Sequence, residues 1–564
     1  MGTNRQPWIL GISASHNGAV CLLHGDEIVV AIQEERLSRQ KRHRIYGAEP
    51  SLSLLYCLKS AGIQPHELSL VVLCAGERAK SPQQDIRSNP VLKEALSHVP
   101  ALTIPHHYGH AMSAYALSGF REAAILVIDG MGSPSEDLFP DEASVAKRMI
   151  AEGGETVSLY LASDTFLIPL EKHLIEYGAW LLRRGEGMPR FGSLGGLFSA
   201  VACQIFDHSM DAGKVMGLAP YGAPAIPTKD FFDISGGEFI FHDTVPRRFT
   251  HNDRWPRRAG EYQDLARSAQ VALEDAVLYL ARHLRSLSQC DNLCYAGGVA
   301  LNSVANERII HEVGFKNVFI TPAAEDSGPA VGAAYYGLWQ MTRENTRRRI
   351  VHDACGRPYS SACVSAAIQR TPGVRAIRSH DTISDTVDLL CDGKIVGWFD
   401  GRSELGPRAL GQRSILCDPR RADGKETLNL RVKRREAFRP FAPAILLEEA
   451  GNWFEANGAG GLESPFMLRV CDFKPDKRAL VPAVVHVDGT GRVQTVTRHA
   501  NGRFYELIRK FYERTGIPLL LNTSFNVMGE PIVETPADAI SCLLRSGLDC
   551  CVFEDQIVFR YVDW

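Results

Sequence analysis

Two histidines and two aspartates are the side chains in this sequence best suited to hold a metal ion. His106 and His110 lie four positions apart in PHHYGHAMSAY, so a helix would place both imidazoles on one face. Asp129 ends the apolar stretch AAILVID, where sheet carboxylates commonly meet ligands, and Asp326 lies in AEDSGPAVG. This donor set suits Fe²⁺, Mn²⁺ or Zn²⁺. The alternative is a helix end whose histidines make ordinary hydrogen bonds; the third of them, His107, points elsewhere.

Two glycine-rich stretches have the composition of phosphate-binding loops. In YAGGVALN, Gly297 and Gly298 lie between an expected strand and the start of a helix, where backbone N–H groups can hold a phosphate. DAGKVMGLAPYG adds Lys214 between two glycines. Neither stretch matches GxGxxG or the Walker A pattern, so the alternative for each is a purely structural turn.

A third group combines arginine and lysine with glycine- and proline-rich loops in the last third of the chain. Guanidinium groups bind phosphate through paired hydrogen bonds, so this composition favours a compact polyanion. The ordinary alternative is a solvated charged face, but Phe438, Pro440 and Phe441 interrupt the basic run and are not typical of one. The group consists of Arg408 and Arg413 in GPRALGQRS, Lys433, Arg434, Arg435 and Arg439 in KRREAFRPF, Arg492 in DGTGRVQT, and Thr523, Ser524 and Asn526 in NTSFN.

The order of apolar segments indicates the fold that must position these residues. WILGISAS, GAVCLLHG and EIVVAIQEER predict three strands, followed by a leucine-rich helix, a strand, the histidine helix and the strand AAILVID. This order is typical of a ribonuclease-H-like unit whose mixed sheet is antiparallel at its start. A second, weaker pass begins with an amphipathic helix over about 262–288 and continues through NLCYAGGVALN. Two such halves facing each other would form a cleft. A basic, turn-rich stretch at 341–361 predicts a linker, and a separate α/β domain is expected after it.

Composition excludes several classes of function. The chain has 564 residues, which predicts two to four domains, and its net charge of −3 argues against a nucleic-acid or anionic membrane partner. No apolar run approaches the length of a membrane span, and the N-terminus lacks a signal-peptide pattern. The 14 cysteines include no CxxC pair, as is typical of reduced thiols in a cytoplasmic protein.

Taken together, the ordered motifs resemble the O-carbamoyltransferase family, which includes the nodulation-factor, cephamycin and aminoglycoside carbamoyltransferases. The resemblance runs nearly end to end. It rests on GISASHNGA, EERLSRQKRH, HHYGHAMSAY, VIDGMG, GKVMGLAPYG, AGGVALN, EDSGPAVGAA, GRSELGPRALGQRS, REAFRPFAP, HVDGTGRVQTV and LLLNTSFNVMGEPIV.

The resemblance implies an α/β protein of two linked domains. Residues 1–345 would form a Kae1-like domain of the ASKHA type, with duplicated ribonuclease-H-like halves, for metal, nucleotide and carbamoyl transfer. Residues 346–363 would form a linker. Residues 364–564 would form a YrdC-like α/β domain that makes carbamoyl-adenylate.

The resemblance also implies an activity. The family makes carbamoyl-adenylate from carbamoyl phosphate and ATP, with Mg²⁺ accompanying the nucleotide, and transfers the carbamoyl group to a hydroxyl of a small natural product. Antibiotic biosynthesis or other secondary metabolism is therefore the expected setting. The acceptor, the hydroxyl modified and the oligomeric state cannot be read from the sequence.

Site residues are carried over motif by motif. His106, His110, Asp129 and Asp326 would bind Fe²⁺. His16 would lie near the transfer site as general base; the family usually reads His-Asp there, and this chain reads His16-Asn17. The residues that would bind nucleotide or carbamoyl phosphate are Gly297, Gly298, Asn302 and Lys214 in the first domain, and Arg408, Lys433, Arg439, Arg492, Ser524 and Asn526 in the last.

Two other functions share these folds. One is a threonylcarbamoyl-type tRNA-modifying enzyme, which the near-neutral charge and the lack of basic stripes argue against. The other is a non-catalytic ASKHA nucleotide-binding protein, in which the paired histidines and the arginine-rich domain would have no purpose.

Overall fold

The computed structural model describes residues 6–47, 49–74, 86–163, 166–183, 185, 187–343, 347–455 and 461–561. The chain divides into two compact units: the first is Met1–Glu34 with Arg44–Ile350, and the second is Glu35–His43 with Val351–Trp564. The short segment Glu35–His43 therefore groups with the C-terminal part of the chain, although it lies within the first 345 residues. Residues 344–346, at the expected start of the linker, lie outside the described residues.

The first unit contains two five-stranded sheets with the same strand order and directions. In each, three consecutive strands pair antiparallel and two later strands add in parallel on the other side, giving the orders β3-β2-β1-β4-β5 and β8-β7-β6-β13-β14. Two further pairs, β9–β10 and β11–β12, are antiparallel. The strands are β1 (Trp8–Ser13), β2 (Ala19–His24), β3 (Glu27–Gln33), β4 (Leu70–Cys74), β5 (Ala101–Ile104), β6 (Ala123–Ile128), β7 (Gly153–Ser163), β8 (Phe166–Glu176), β9 (Leu181–Leu182), β10 (Arg190–Phe191), β11 (Phe232–Ser235), β12 (Glu238–Phe241), β13 (Asn292–Ala296) and β14 (Asn317–Ile320).

Helices flank these sheets, and the longest is amphipathic as its sequence predicts. Its alanine and leucine stripe is buried, while charged residues occupy the opposite side. The helices are α1 (Glu34–Ser38), which spans the boundary between the units, α2 (Leu52–Ala61), α3 (Pro90–Leu96), α4 (His106–Ser118), α5 (Pro140–Ser144), α6 (Leu194–Phe206), α7 (Ala212–Leu218), α8 (Thr244–Arg248), α9 (Ala259–Ser288), α10 (Ser303–Glu312) and α11 (Gly328–Thr342).

Glycine allows α4, α11 and β1 to pack at backbone contact. A Cβ at Gly332 of α11 would lie 1.9 Å from the carbonyl oxygen of Gly109 in α4, and one at Gly11 of β1 would lie 2.1 Å from the carbonyl oxygen of Ala330. A side chain at either position would push the elements apart. This close packing brings the histidine helix next to the loop that precedes α11.

The second unit is built on a mixed nine-stranded sheet of order β15-β23-β22-β16-β17-β21-β18-β20-β19. Two neighbouring pairs, β16–β22 and β18–β20, are parallel, and the rest are antiparallel. Its elements are α12 (Ser361–Gln369), β15 (Val374–Arg378), α13 (Thr382–Cys391), β16 (Val396–Phe399), β17 (Arg413–Cys417), α14 (Gly424–Leu428), β18 (Ala442–Leu446), α15 (Leu447–Trp453), β19 (Arg469–Asp472), α16 (Pro475–Arg478), β20 (Thr490–Val496), α17 (Gly502–Thr515), β21 (Leu519–Ser524), α18 (Pro536–Arg545), β22 (Cys550–Val552) and β23 (Gln556–Arg560).

The segment Glu35–His43 is tied to the second unit by arginine side chains. Arg36 is buried and donates to the carbonyl oxygen of Gly406 at 2.7 Å. Arg39 donates to the carbonyl oxygens of Pro531 at 2.8 Å and Ile532 at 2.7 Å. The segment therefore contacts the loop before Arg408 and the loop after Asn526.

Two further observations concern the helices and the cysteines of the described residues. No helix among them is both long and apolar enough to cross a bilayer. All 14 cysteines are free thiols, and most are buried.

Candidate functional site

The four residues chosen for metal binding converge in the first unit. His106 and His110 project from the first turns of α4, Asp129 directly follows β6, and Asp326 lies in the loop before α11. One ligand atom from each lies within 4.8 Å of the others. The Nε2 atoms of His106 and His110 are 3.2 Å apart. His106 Nε2 lies 3.4 Å from Asp129 Oδ2 and 3.3 Å from Asp326 Oδ1.

These distances fit a shared cation. Donor atoms bound at about 2.1 Å to one ion lie roughly 3.0–3.4 Å from each other. The two Nε2 atoms are 3.2 Å apart and lie 3.3, 3.4, 3.5 and 3.7 Å from the carboxylate oxygens, which is close to that spacing. Both Nε2 atoms point at each other as well as at the acids, a geometry that direct hydrogen bonding alone would not favour. Two imidazoles and two carboxylates can therefore hold a divalent metal ion here.

Electrostatics in this cluster are strongly coupled even without an ion. Burial lowers the pKa of His106, but the charge of Asp326 and hydrogen bonds to Asp129 and Asp326 overcome that effect, so the pKa lies well above its ordinary value. Burial likewise raises the pKa of Asp129, but the two histidines bring it below its ordinary value. The two carboxylates thus favour positive charge beside them, which a divalent cation can supply in place of the imidazole protons.

His16 lies beside the same cluster. Its Nδ1 is 3.0 Å from Asp326 Oδ2, and its side chain is about one third exposed, whereas His106 and His110 are buried. Asp326 therefore orients His16 and leaves its Nε2 available to another partner. The neighbouring Asn17 donates from Nδ2 to Glu325 Oε2 at 2.7 Å. Asn17 thus contacts an acid other than Asp326, the one that orients His16.

Glu325 was not singled out by its sequence context, yet it organises the loop that carries Asp326. Its carboxylate also accepts hydrogen bonds from Gln33 at 3.0 Å and from the backbone N–H and hydroxyl of Ser327 at 2.7 and 2.6 Å. No local motif marks this role, because Asn17 and Gln33 are about 300 positions away along the chain.

The glycine loop after β13 contacts the metal cluster. Gly297 has φ 91°, and a Cβ there would lie 2.3 Å from the carbonyl oxygen of Ile128, so only glycine fits. The Gly298 N–H faces Asp129 Oδ1 at 3.4 Å. The Asn302 amide exchanges two 3.0 Å hydrogen bonds with Gln270 and also caps α10.

Lys214 lies on α7, more than 80 positions before the glycine loop of Gly297 and Gly298 in the sequence. Its Nζ is 2.9 Å from Asp211 Oδ2 and stacks over the ring of Phe206. The side chain is thus already paired with an acid within its own helical region.

A second candidate site lies in the second unit, where Lys433, Ser524 and Asn526 form a hydrogen-bonded cluster. Lys433 ends a π-helical turn that continues α14, a distortion frequent at functional sites. Its Nζ contacts Ser524 O, Asn526 Oδ1 at 2.9 Å and Asn526 O at 3.1 Å. The Ser524 hydroxyl donates to Asn526 Oδ1 at 2.8 Å.

Arginines surround this cluster and repel one another. Burial and the charge of Arg439 lower the pKa of Arg408 to about 10 and that of Arg435 to about 9. Burial, with Arg408, Arg435 and Arg439, lowers the pKa of Arg492 well below its ordinary value, and the pKa of Lys433 is lowered by burial, Arg435 and Arg439. The Nε atoms of Arg408 and Arg492 are buried without a hydrogen-bond partner among the described residues.

Neighbours in the basic run differ in what they do. Arg435 donates to Asn429 and to the carbonyl oxygen of Pro440 and stacks on Phe441. Arg434, by contrast, is exposed and reaches the carbonyl oxygen of Arg545. Arg413 is buried over Phe399 and donates to backbone carbonyls, which is a structural role. The sequence marked all of these as one basic group; only the fold separates them.

Comparison with known proteins identifies the family. The family description "Carbamoyltransferase N-terminus" matches residues 8–82 and 86–335, and "Carbamoyltransferase C-terminus" matches residues 387–560. This chain belongs to the carbamoyltransferase family. As a member, it is an enzyme, and both candidate sites of this carbamoyltransferase lie within the matched residues.

Curated relatives of this carbamoyltransferase extend over most of its length. Nodulation protein NolNO of Sinorhizobium fredii (strain NBRC 101917 / NGR234) is 34% identical, covering 96% of this chain and 79% of the relative. The 3'-hydroxymethylcephem-O-carbamoyltransferase of Streptomyces clavuligerus is 30% identical, covering 94% and 95%. Among solved structures, full-length HypF in its phosphate- and nucleotide-bound form is 12% identical over 61% of this chain and 57% of HypF, with a TM-score of 0.38, which is too low to support an argument from that structure.

Proposed function

We propose that this carbamoyltransferase makes carbamoyl-adenylate from carbamoyl phosphate and ATP in its second unit and transfers the carbamoyl group to a hydroxyl of a small natural product in its first. The observation that carries the proposal is the cluster of mutually repelling cations around Lys433. Lys433 is buried and the arginines around it are half-buried, and crowding positive charges in this way is unfavourable unless an anion neutralises them. Carbamoyl phosphate and the triphosphate of ATP are anions of that kind.

In the second unit, Arg408, Arg439 and Arg492 would bind the phosphates, and Lys433, Ser524 and Asn526 would hold the reacting end. Water releases phosphate from carbamoyl phosphate and leaves carbamate. A carbamate oxygen then forms a bond to the α-phosphorus of ATP, and the bond from that phosphorus to pyrophosphate breaks. The cations stabilise the negative charge that develops on the leaving pyrophosphate. Mg²⁺ is expected to accompany the triphosphate.

In the first unit, His106, His110, Asp129 and Asp326 would hold Fe²⁺. When bound, this ion supplies Lewis-acid chemistry toward the phosphoryl or carbamoyl oxygens of the adenylate. His16 would accept the proton of the acceptor hydroxyl at Nε2, since Nδ1 faces Asp326. The hydroxyl oxygen forms a bond to the carbamoyl carbon as the bond from that carbon to AMP breaks. Gly297, Gly298 and Asn302, with Lys214, would contribute to nucleotide binding.

The domain assignment is part of the same proposal. The shared strand order of the two sheets of the first unit supports duplicated ribonuclease-H-like halves and a Kae1-like transfer domain at 1–345. The mixed sheet with its cationic cluster supports a YrdC-like domain at 364–564, after a linker at 346–363. The name of the Streptomyces clavuligerus relative supports an acceptor hydroxyl on a small molecule.

A coupled assay tests the reaction. Pyrophosphate release should require carbamoyl phosphate and ATP together, and a carbamoylated product should appear only when a hydroxylated acceptor from a natural-product panel is added. Pyrophosphate release from ATP alone, or none with both substrates, would contradict the proposal. Metal analysis of the purified protein should give about one Fe²⁺ per chain, and His110→Ala should remove it.

A further inference from the structure

We propose that Ser133 and Glu155 are positioning residues that set the geometry of the metal site. The inference rests on the proposed metal site of the first unit. Neither residue offers a ligand atom to the four-residue cluster. Both instead hold the elements on which the ligands His106, His110 and Asp129 are mounted.

The first turn of α4 lacks a capping side chain of its own. Its N-cap residue is Pro105, which has no side-chain oxygen, so the first N–H groups of the helix need partners from elsewhere. Ser133 Oγ accepts from the His106 N–H at 2.8 Å, and Glu155 Oε1 accepts from the His107 N–H at 2.8 Å. These partners lie 27 and 48 positions away in sequence.

The same carboxylate holds the loop that carries Asp129. Glu155 Oε1 also accepts from the Ser133 N–H at 3.1 Å, and the Gly132 N–H donates to the Glu155 backbone carbonyl at 2.7 Å. A Cβ at Gly132 would lie 2.8 Å from both Glu155 Oε1 and the ring of His107, so only glycine lets the loop approach. One oxygen atom therefore links the helix with two metal ligands to the loop with a third.

A buried lysine fixes the carboxylate in turn. Lys172 Nζ lies 2.5 Å from Glu155 Oε2 and 2.9 Å from Glu142 Oε1, and it donates to Ser158 Oγ and Tyr160 OH at 3.0 and 3.1 Å. Lys172, Glu142 and Glu155 are all fully buried. Burial raises the pKa of Glu155, but His107 and Lys172 lower it overall to about 2, so the carboxylate is charged.

The side chain of His107 also ties α4 to this network. Its Nδ1 shares a 2.8 Å hydrogen bond with Ser158 Oγ on the side of this network, away from the facing Nε2 atoms of His106 and His110. Buried ionic networks contribute little net stability compared with well-packed apolar residues. The position of this network against the first turn of α4, which carries His106 and His110, is therefore better explained by a role in orienting those two side chains.

Cobalt binding tests the inference without relying on turnover. Apo protein would be titrated with Co²⁺, following its visible absorption, in wild type, Ser133→Ala, Glu155→Ala and Glu155→Gln. Loss of such an outer partner typically weakens metal binding about 10- to 100-fold. We expect losses of that size for Ser133→Ala and Glu155→Ala, with a changed spectrum, and partial recovery in Glu155→Gln, which keeps an acceptor for the His107 N–H.

The matched control is Tyr115→Phe, which removes the hydrogen bond from the Tyr115 hydroxyl to the Arg121 carbonyl at the other end of α4. It should leave Co²⁺ affinity within about twofold of wild type. Wild-type affinity and spectrum in both alanine variants would overturn this inference alone. Failure of the wild type itself to bind Co²⁺ would overturn the proposed metal site, and this inference with it.

Discussion

His16 illustrates how a departure from the family pattern is accommodated by single atoms. An aspartate at position 17 would face the Glu325 carboxylate that Asn17 now contacts at 2.7 Å, and two carboxylates at that distance repel each other unless one is protonated. The amide instead donates a hydrogen bond. Orientation of His16 depends on Asp326, 3.0 Å away, so the loss of a carboxylate at position 17 leaves the imidazole held.

Substituting His16→Asn should separate the two half-reactions. Adenylate formation, followed as pyrophosphate release, should stay within about twofold of wild type. Carbamoyl transfer should fall about 10²- to 10⁴-fold, the usual contribution of a general base. His311→Asn, on the surface of α10 beside Glu307, is the control and should change neither step. Equal losses in both steps would show that His16 is not specific to transfer.

At the scale of elements, the cationic site is assembled from pieces that are distant in sequence. Arg408 precedes β17, Lys433 ends the π-helical turn after α14, Arg492 lies on β20 and Ser524 ends β21. The sheet holds these cations close enough to lower one another's pKa. An anion bound among these cations, as we propose, would relieve that repulsion.

Arg439→Ala should abolish most adenylate formation while transfer from supplied carbamoyl-adenylate persists. A charged hydrogen bond to phosphate is worth about 1.5–3 kcal/mol, so we expect roughly a 10- to 150-fold loss in pyrophosphate release. Arg434→Ala is a matched control, since Arg434 is a neighbour in the same run but is exposed. A parallel loss of transfer in Arg439→Ala would count against separate sites for the two steps.

Anion binding should weaken at alkaline pH. The pKa of Arg435 is lowered to about 9 by burial and then by Arg439, and a bound polyanion favours its charged form and raises that pKa again. By linkage, the contribution of Arg435 to affinity is complete below pH 9 and falls above it, by up to about tenfold per pH unit for one lost charge. Calorimetry with a non-hydrolysable ATP analogue between pH 8 and 10 measures this. A flat profile would show that Arg435 does not titrate in this range.

Elements were easier to predict from sequence than the contacts between them. The spacing of His106 and His110 predicts one helical face, and α4 has it; the apolar run before Asp129 predicts a strand, and β6 ends there. The sequence around Ser133 and Glu155 gives no sign of their role, because the helix turn that each contacts lies 27 and 48 positions away along the chain. The same holds for Glu325, whose partners come from β3 and the β1–β2 turn.

At the scale of the whole molecule, the second unit depends on a segment from near the N-terminus. Arg39 donates to two backbone carbonyls and lies 3.8 Å from Asp538. Those carbonyls follow the loop of Asn526, so the segment supports the wall of the cationic site. The sequence could not predict this, because EERLSRQKRH has no local feature that marks its partners, which lie 370 to 493 positions further along the chain.

Removing that contact should destabilise the second unit selectively. Arg39→Ala in the full chain should cost about 2 kcal/mol, since its two charged hydrogen bonds are weakened by the partial exposure of the side chain to solvent. For a unit of this size the thermal midpoint should fall by roughly 4–8 °C. Calorimetry would resolve the transition, with Arg514→Ala, which is 68% exposed on α17, as the control. Co²⁺ binding by the first unit should be unaffected in Arg39→Ala. An unchanged thermal midpoint would show that the segment is not needed for the stability of the second unit.

The same segment has a consequence for synthesis on the ribosome. Arg36 and Arg39 are translated 370 and 493 residues before the backbone groups they contact. At roughly 5–20 residues per second, the longer interval is about 25–100 s. During that time the nascent chain carries a basic stretch whose docking surface does not yet exist. Completion of these contacts must therefore wait for Pro531 and Ile532 to emerge, and a product terminated before them would leave this stretch open to proteases and chaperones.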